Sequence, residues 1–149
     1  MRAQLALLLM KTAVVLAKIE SLSCSIHRIE SKRPASAEAL SSDLDLQDII
    51  VVNLERAVQI SVDIASMIIA KAPLQPPTSM ADAFQKLGEN GIIPRELATR
   101  LQKSVGFRNI AVPEYQRISW DRVFALITAR LDDFRELSRI ALEFFEVKP

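Results

Sequence analysis

Leu44-Asp45-Leu46-Gln47-Asp48-Ile49-Ile50-Val51-Val52-Asn53-Leu54-Glu55-Arg56-Ala57-Val58-Gln59-Ile60-Ser61-Val62-Asp63-Ile64-Ala65-Ser66-Met67-Ile68-Ile69-Ala70 reads as a helix with apolar side chains on nearly every face. Only Asp48, Glu55, Gln59, Asp63 and Ser66 form a narrow polar strip. Such a helix must be covered on more than one side, by other helices of the same chain or by a second copy in a homodimer. Asp43, Asp45 and Asp48 cluster at its start, where carboxylates complement the helix dipole. No other ligand types accompany them, so they mark a helix end and not a metal site.

Towards the N-terminus, Pro34 and the stretch Ser36 to Ser42 interrupt the pattern. Before them, Leu5, Leu8, Thr12, Val15, Ile19, Leu22, Ile26 and Ile29 alternate steps of three and four residues. Lys11, Lys18, Ser25 and Lys32 recur every seven on the opposite side. This predicts a long amphipathic helix with a continuous buried seam, not a cleavable secretory signal. No apolar run approaches the roughly 20 residues needed to span a bilayer. The chain is expected to be cytoplasmic and to have no membrane partner.

Towards the C-terminus, Pro73, Pro76 and Pro77 predict a loop, with Thr78 or Ser79 capping a short helix over Met80 to Glu89. Asn90-Gly91 closes it, and Pro94 suits the first turn of the next helix. Leu97, Leu101, Val105 and Phe107 give that helix its buried side, with Arg100, Lys103 and Arg108 near one another elsewhere on it. Ser119 then caps a last helix. Trp120, Val123, Phe124, Ile127, Leu131, Phe134, Leu137 and Ala141 make its apolar stripe; Thr128, Asp132, Arg135, Arg139, Glu143 and Glu146 line the reverse.

The whole is expected to be one all-α domain over residues 1–149, an up-and-down helical bundle of four long helices plus one short helix. A chain of 149 residues can bury roughly two thirds of its unfolded surface in a single core. Half the residues are apolar and only three are Gly, which favours helices. The formal net charge is +1, so any attraction for nucleic acid must be local. The single cysteine, Cys24, excludes an intramolecular disulfide and reads as a small, partly buried apolar residue. With His27 the only histidine, no zinc set is available and no metal or other cofactor is expected.

After Val105-Gly106-Phe107 comes Arg108-Asn109-Ile110-Ala111-Val112-Pro113-Glu114-Tyr115, followed by Ile118-Ser119-Trp120-Asp121-Arg122-Val123. This stretch resembles the HEPN-domain, HepT-type toxin ribonucleases, whose motif runs Arg, usually Asn, three variable residues, His, one variable residue, Tyr. Arg108, Asn109 and Tyr115 stand at that spacing, with Pro113 at the His position. The likeness extends to Leu44 to Ile50 and to Asn53-Leu54-Glu55-Arg56-Ala57, and so covers most of the chain. It implies an HEPN-like fold and a metal-independent endoribonuclease in which the ribose 2′-hydroxyl is the nucleophile. It also implies a composite cleft where two subunits bring their motifs together. On an ideal helix a residue five places beyond Arg108 points about 140° away from it, in keeping with a site completed by a partner subunit.

The resemblance further implies the toxin of a two-gene toxin–antitoxin module, whose antitoxin is a minimal nucleotidyltransferase that adds adenylate to the motif tyrosine, here Tyr115. Arg108 would steady the phosphorane, and the stripe Arg100, Lys103 and Arg108 would hold RNA phosphates. Histidine moves protons near neutral pH and proline has no titratable side chain, so the proton-transfer role is vacant. His27, far upstream in another helix, reads as a flank residue. This chain is therefore expected to be inactive or strongly impaired as a nuclease. The alternative is a non-catalytic dimeric binding partner or substrate of a nucleotidyltransferase. Pro113 cannot donate to the carbonyl of Asn109 and pushes Val112 out of helical geometry, so the fourth helix should end or kink there.

Overall fold

Asp43 opens the central helix as its sequence predicts. Its side chain accepts from the Leu46 N–H, and the helix (α3, Leu44–Lys71) follows the first helix (α1, Arg2–Lys32) and a short one (α2, Ala37–Ser41). The computed structural model describes residues 1–111 and 113–146. After α3 come α4 (Met80–Glu89), α5 (Arg95–Ala111), a 3₁₀ turn (Tyr115–Arg117), α6 (Trp120–Ala129) and α7 (Leu131–Phe144). The described residues thus form an all-α bundle, with two departures from four long helices plus one short.

The first departure is α2, in the stretch that breaks the periodicity. Ser36 caps it, and Leu40 anchors it with no exposed surface. Gln47, buried on α3, donates from Nε2 to the carbonyls of Leu40 and Ser41, adding to the Asp43 N–H at Leu40 and giving Ser41 a partner at the end of the short helix. The second is that the last helix is two helices, broken at Arg130, whose backbone sits at φ −124°, ψ 2°. No proline or glycine causes the break. Arg33, just past the end of α1, donates from Nη1 to the Ile127 carbonyl at 2.9 Å, so that acceptor is satisfied without helix continuation. Asp132 and Asp133 then occupy the first turn of α7, where they complement its dipole. The predicted stripe survives the break: Val123, Ile127, Leu131, Phe134, Leu137 and Ala141 are all buried.

Covering α3 falls to its own chain, since α1, α2, α4, α5 and α7 all pack against it. Ser79, not Thr78, caps α4, accepting from the Asp82 N–H, while Asp82 accepts in turn from the Thr78 N–H. Gly91 closes α4 with φ +70°. At Gly88 a Cβ would lie 2.7 Å from the Ala98 Cβ, so its missing side chain lets α4 and α5 approach closely. Ion pairs tie the layers together: Lys18 with Asp63 across α1 and α3, Arg100 with Asp133 across α5 and α7, and Arg135 with Glu30 across α7 and α1.

The N-terminal half of the predicted α1 seam is not buried. Val15, Leu22, Ile26 and Ile29 are in the core, but Leu5 and Leu8 are exposed, together with Leu7, Leu9, Met10, Val14 and Leu16. The reason is length. Lys18 pairs with Asp63 on the antiparallel α3, and both helices rise at the same rate per residue, so Lys71 at the end of α3 comes level with about Met10. The residues before it have no α3 beside them. Cys24, expected to be partly buried, is exposed on α1, where it lines an open groove beside α3. Among the described residues, no helix is long and apolar enough to cross a membrane.

Candidate functional site

The last turn of α5 delivers the motif. Arg108 is half-buried there and Asn109 is exposed, and among the described residues no carboxylate lies within ion-pair distance of Arg108. The described part of the helix runs to Ala111 and Pro113 lies in a turn; Val112, where the distortion was expected, lies outside the described residues. Pro113 sits exposed in the following turn, and the Glu114 N–H donates to the Ile110 carbonyl at 3.0 Å. The chain then tightens into the 3₁₀ turn that carries Tyr115.

Tyr115 is held from two sides. Its ring meets Trp120 edge-on, with centroids 5.8 Å apart, and its hydroxyl donates to Asp48 Oδ1 at 2.9 Å. Partial burial, then the hydrogen bond to Asp48 and the negative charges of Asp48 and Glu55, push the phenol up to about 12. The phenol is thus firmly protonated at neutral pH, although the side chain is still 39% exposed and open to a reagent.

Asp48 was legible only as part of a polar strip near a helix start. The structure makes it the partner of Tyr115, from 67 residues away. It also lines a groove of about 910 Å³ between α1 and α3, together with Glu20, Cys24, Arg28, Asn53 and Arg56. Arg28 and Arg56 thus share the groove with the carboxylate. His27 is exposed on α1 and does not line this groove.

The basic stripe of α5 is divided. Arg100 and Lys103 line a second cavity, of about 590 Å³, between α5, the 3₁₀ turn, α6 and α7, whereas Arg108 does not. Arg100 is also committed to a carboxylate, since its Nε lies 3.0 Å from both oxygens of Asp133. Arg117, Arg122 and Arg130 add three cations to the rim over an apolar floor that includes Phe107, Ile118, Leu126 and Phe134. Those three arginines are spread over the 3₁₀ turn, α6 and the break after it, so no periodicity in the sequence groups them with Lys103.

Residues 22–140 match the family model described as Ribonuclease HepT-like. The chain is 33% identical over 123 residues to the mRNA nuclease HepT of Shewanella oneidensis, spanning 83% of this chain and 92% of that protein. Among solved structures, the tri-AMPylated Shewanella oneidensis HEPN toxin in complex with MNT antitoxin aligns with a TM-score of 0.79 at 32% identity, covering 85% of this chain and 95% of that one. A toxin–antitoxin crystal structure with AMP-PNP aligns with a TM-score of 0.80 at 31% identity, covering 86% and 97%. The exposed apolar start of α1 falls before the range matched by the family model.

Proposed function

Because the chain belongs to the HepT-like ribonuclease family, we propose that it is the toxin of a toxin–antitoxin module, an endoribonuclease scaffold whose partner is a nucleotidyltransferase antitoxin. The observation that carries this reading is the motif itself: Arg108 and Asn109 on the last turn of α5, and Tyr115 on the adjoining 3₁₀ turn with its side chain partly exposed. In an active relative of this design the ribose 2′-hydroxyl attacks the adjacent phosphorus and the 5′-oxygen leaves, giving a cyclic phosphate. Arg108 supplies fixed positive charge to the phosphorane. Lys103, Arg122 and Arg130 of the second cavity offer charge for flanking phosphates. Position 113 supplies no acid or base in this chain, which favours the second reading, a non-catalytic protein that dimerises and serves as binding partner or substrate of the nucleotidyltransferase.

Both readings include Tyr115 as the modified residue. Incubated with the partner nucleotidyltransferase, ATP and magnesium, the chain should gain adenylate mass that disappears in Tyr115→Phe. Increments that persist in that variant would place the modification on another residue. Tyr115 is the only tyrosine, so the substitution is decisive for this side-chain type.

Both readings also include a homodimer. What supports it is the apolar surface that the monomer leaves open: Leu5, Leu8, Met10 and Val14 on α1 and Val52 on α3. A stable interface would bury on the order of 1,200 Å² or more. Light scattering during gel filtration should give twice the chain mass, and a monomer at micromolar concentration would remove the dimer and the shared cleft together.

A further inference from the structure

We infer that Asp48 is the general base for nucleotidyl transfer to Tyr115, a catalytic carboxylate provided by the protein being modified; this rests on the reading of Tyr115 as the modified residue. In the step, a lone pair of Tyr115 Oη forms a bond to the α-phosphorus of a nucleoside triphosphate. The bond from that phosphorus to the bridging oxygen breaks, pyrophosphate leaves with its electron pair, and the phenolic proton passes to the Asp48 carboxylate.

Geometry supports the assignment first. Oη already donates to Asp48 Oδ1 at 2.9 Å, within the reach a proton acceptor needs. Both side chains are exposed, so a triphosphate held by a second protein can approach the hydroxyl. Trp120 covers part of the ring and brings no acceptor of its own.

A base is needed because the phenol does not ionise unaided. With its ionisation pushed to about 12, only about 10⁻⁵ of molecules carry a phenolate at neutral pH. The other charged groups around the pair are Glu55, which acts on the phenol through its charge alone, and Glu20, Arg28 and Arg56 in the groove beside Asp48. Of these, only Asp48 accepts a hydrogen bond from the hydroxyl. Arg28 and Arg56 offset the repulsion that its carboxylate would exert on an incoming triphosphate.

One tyrosine hydroxyl can carry one phosphodiester link. Any later adenylate added at this position must therefore join a hydroxyl of the nucleotide already attached, and Asp48 should matter for the first addition only. The test follows each mass increment with time in single-turnover mixtures of the full chain, the partner nucleotidyltransferase, ATP and magnesium. Asp48→Asn keeps an accepting oxygen of the same size but cannot take the proton. It should slow the first addition about 10²-fold or more and leave later additions at the wild-type rate. The slowed rate should rise about tenfold per pH unit, as phenolate forms in solution, while the wild-type rate stays nearly flat. Incorporating 3,5-difluorotyrosine at position 115, whose hydroxyl ionises far more readily, should restore the Asp48→Asn rate. Wild-type kinetics in Asp48→Asn would overturn the inference, as would a slow variant that neither pH nor the fluorinated tyrosine rescues. If the wild-type chain gains no adenylate, or gains it on another residue, the reading of Tyr115 falls and this inference falls with it.

Discussion

Pro113→His is expected to raise metal-independent RNA cleavage by a factor of about 10² to 10⁴ over the proline form, the range a positioned acid–base group contributes. Position 113 is exposed in the turn between α5 and the 3₁₀ turn, so an imidazole enters without displacing core side chains. The substitution returns a proton-transfer group that works near neutral pH and a backbone N–H that proline lacks. Two controls separate these effects. Pro113→Ala returns the N–H alone and should remain inactive. Arg108→Ala combined with Pro113→His should abolish the gain by removing charge from the phosphorane. Cleavage of a labelled RNA would be followed with chelator present, and the product ends examined for a cyclic phosphate. Equal rates for the proline and histidine forms would mean that another group moves the proton.

Phe134→Ala is expected to lower stability by about 3 to 5 kcal/mol, the usual cost of emptying a large aromatic site in a core. Phe134 is only 1% exposed, in the first turns of α7 directly after the break at Arg130. It also borders the basic cavity, and water entering from that side should hold the loss towards the lower end of the range. Native domains have only about 5 to 15 kcal/mol in total, so the shift in a urea unfolding curve should be large. Leu8→Ala gives the contrast. Leu8 is 46% exposed, and its truncation should change the dilute protein by no more than about 0.5 kcal/mol. A loss at Leu8 as large as that at Phe134, in protein diluted below the concentration at which it dimerises, would show that the start of α1 is packed within the monomer.

Much of the fold follows from the sequence alone, because its rules act over one or two helical turns. Three- and four-residue spacing marks α1 and α3, and Asp43, Ser79 and Ser119 cap the helices that follow them. The stripe from Val123 to Ala141 identifies core positions even though the helix carrying it is broken. The spacing of Arg108, Asn109 and Tyr115 pointed to the family without any structure.

Tertiary structure decided what depends on residues far apart in the chain. Arg33 meets the Ile127 carbonyl from 94 residues away, at the point where one predicted helix becomes two. The antiparallel register of α1 and α3 leaves Leu5 and Leu8 without cover, although their spacing matches that of buried Leu22 and Ile26. Asp133 takes Arg100 out of a stripe that local spacing had joined to Arg108. Asp48, one carboxylate among several on a polar strip, becomes the acceptor for the Tyr115 hydroxyl. Helix periodicity and capping are set by neighbours in sequence, so they can be read one turn at a time. Which carbonyl, carboxylate or hydroxyl a side chain finally meets is set only when the helices have packed.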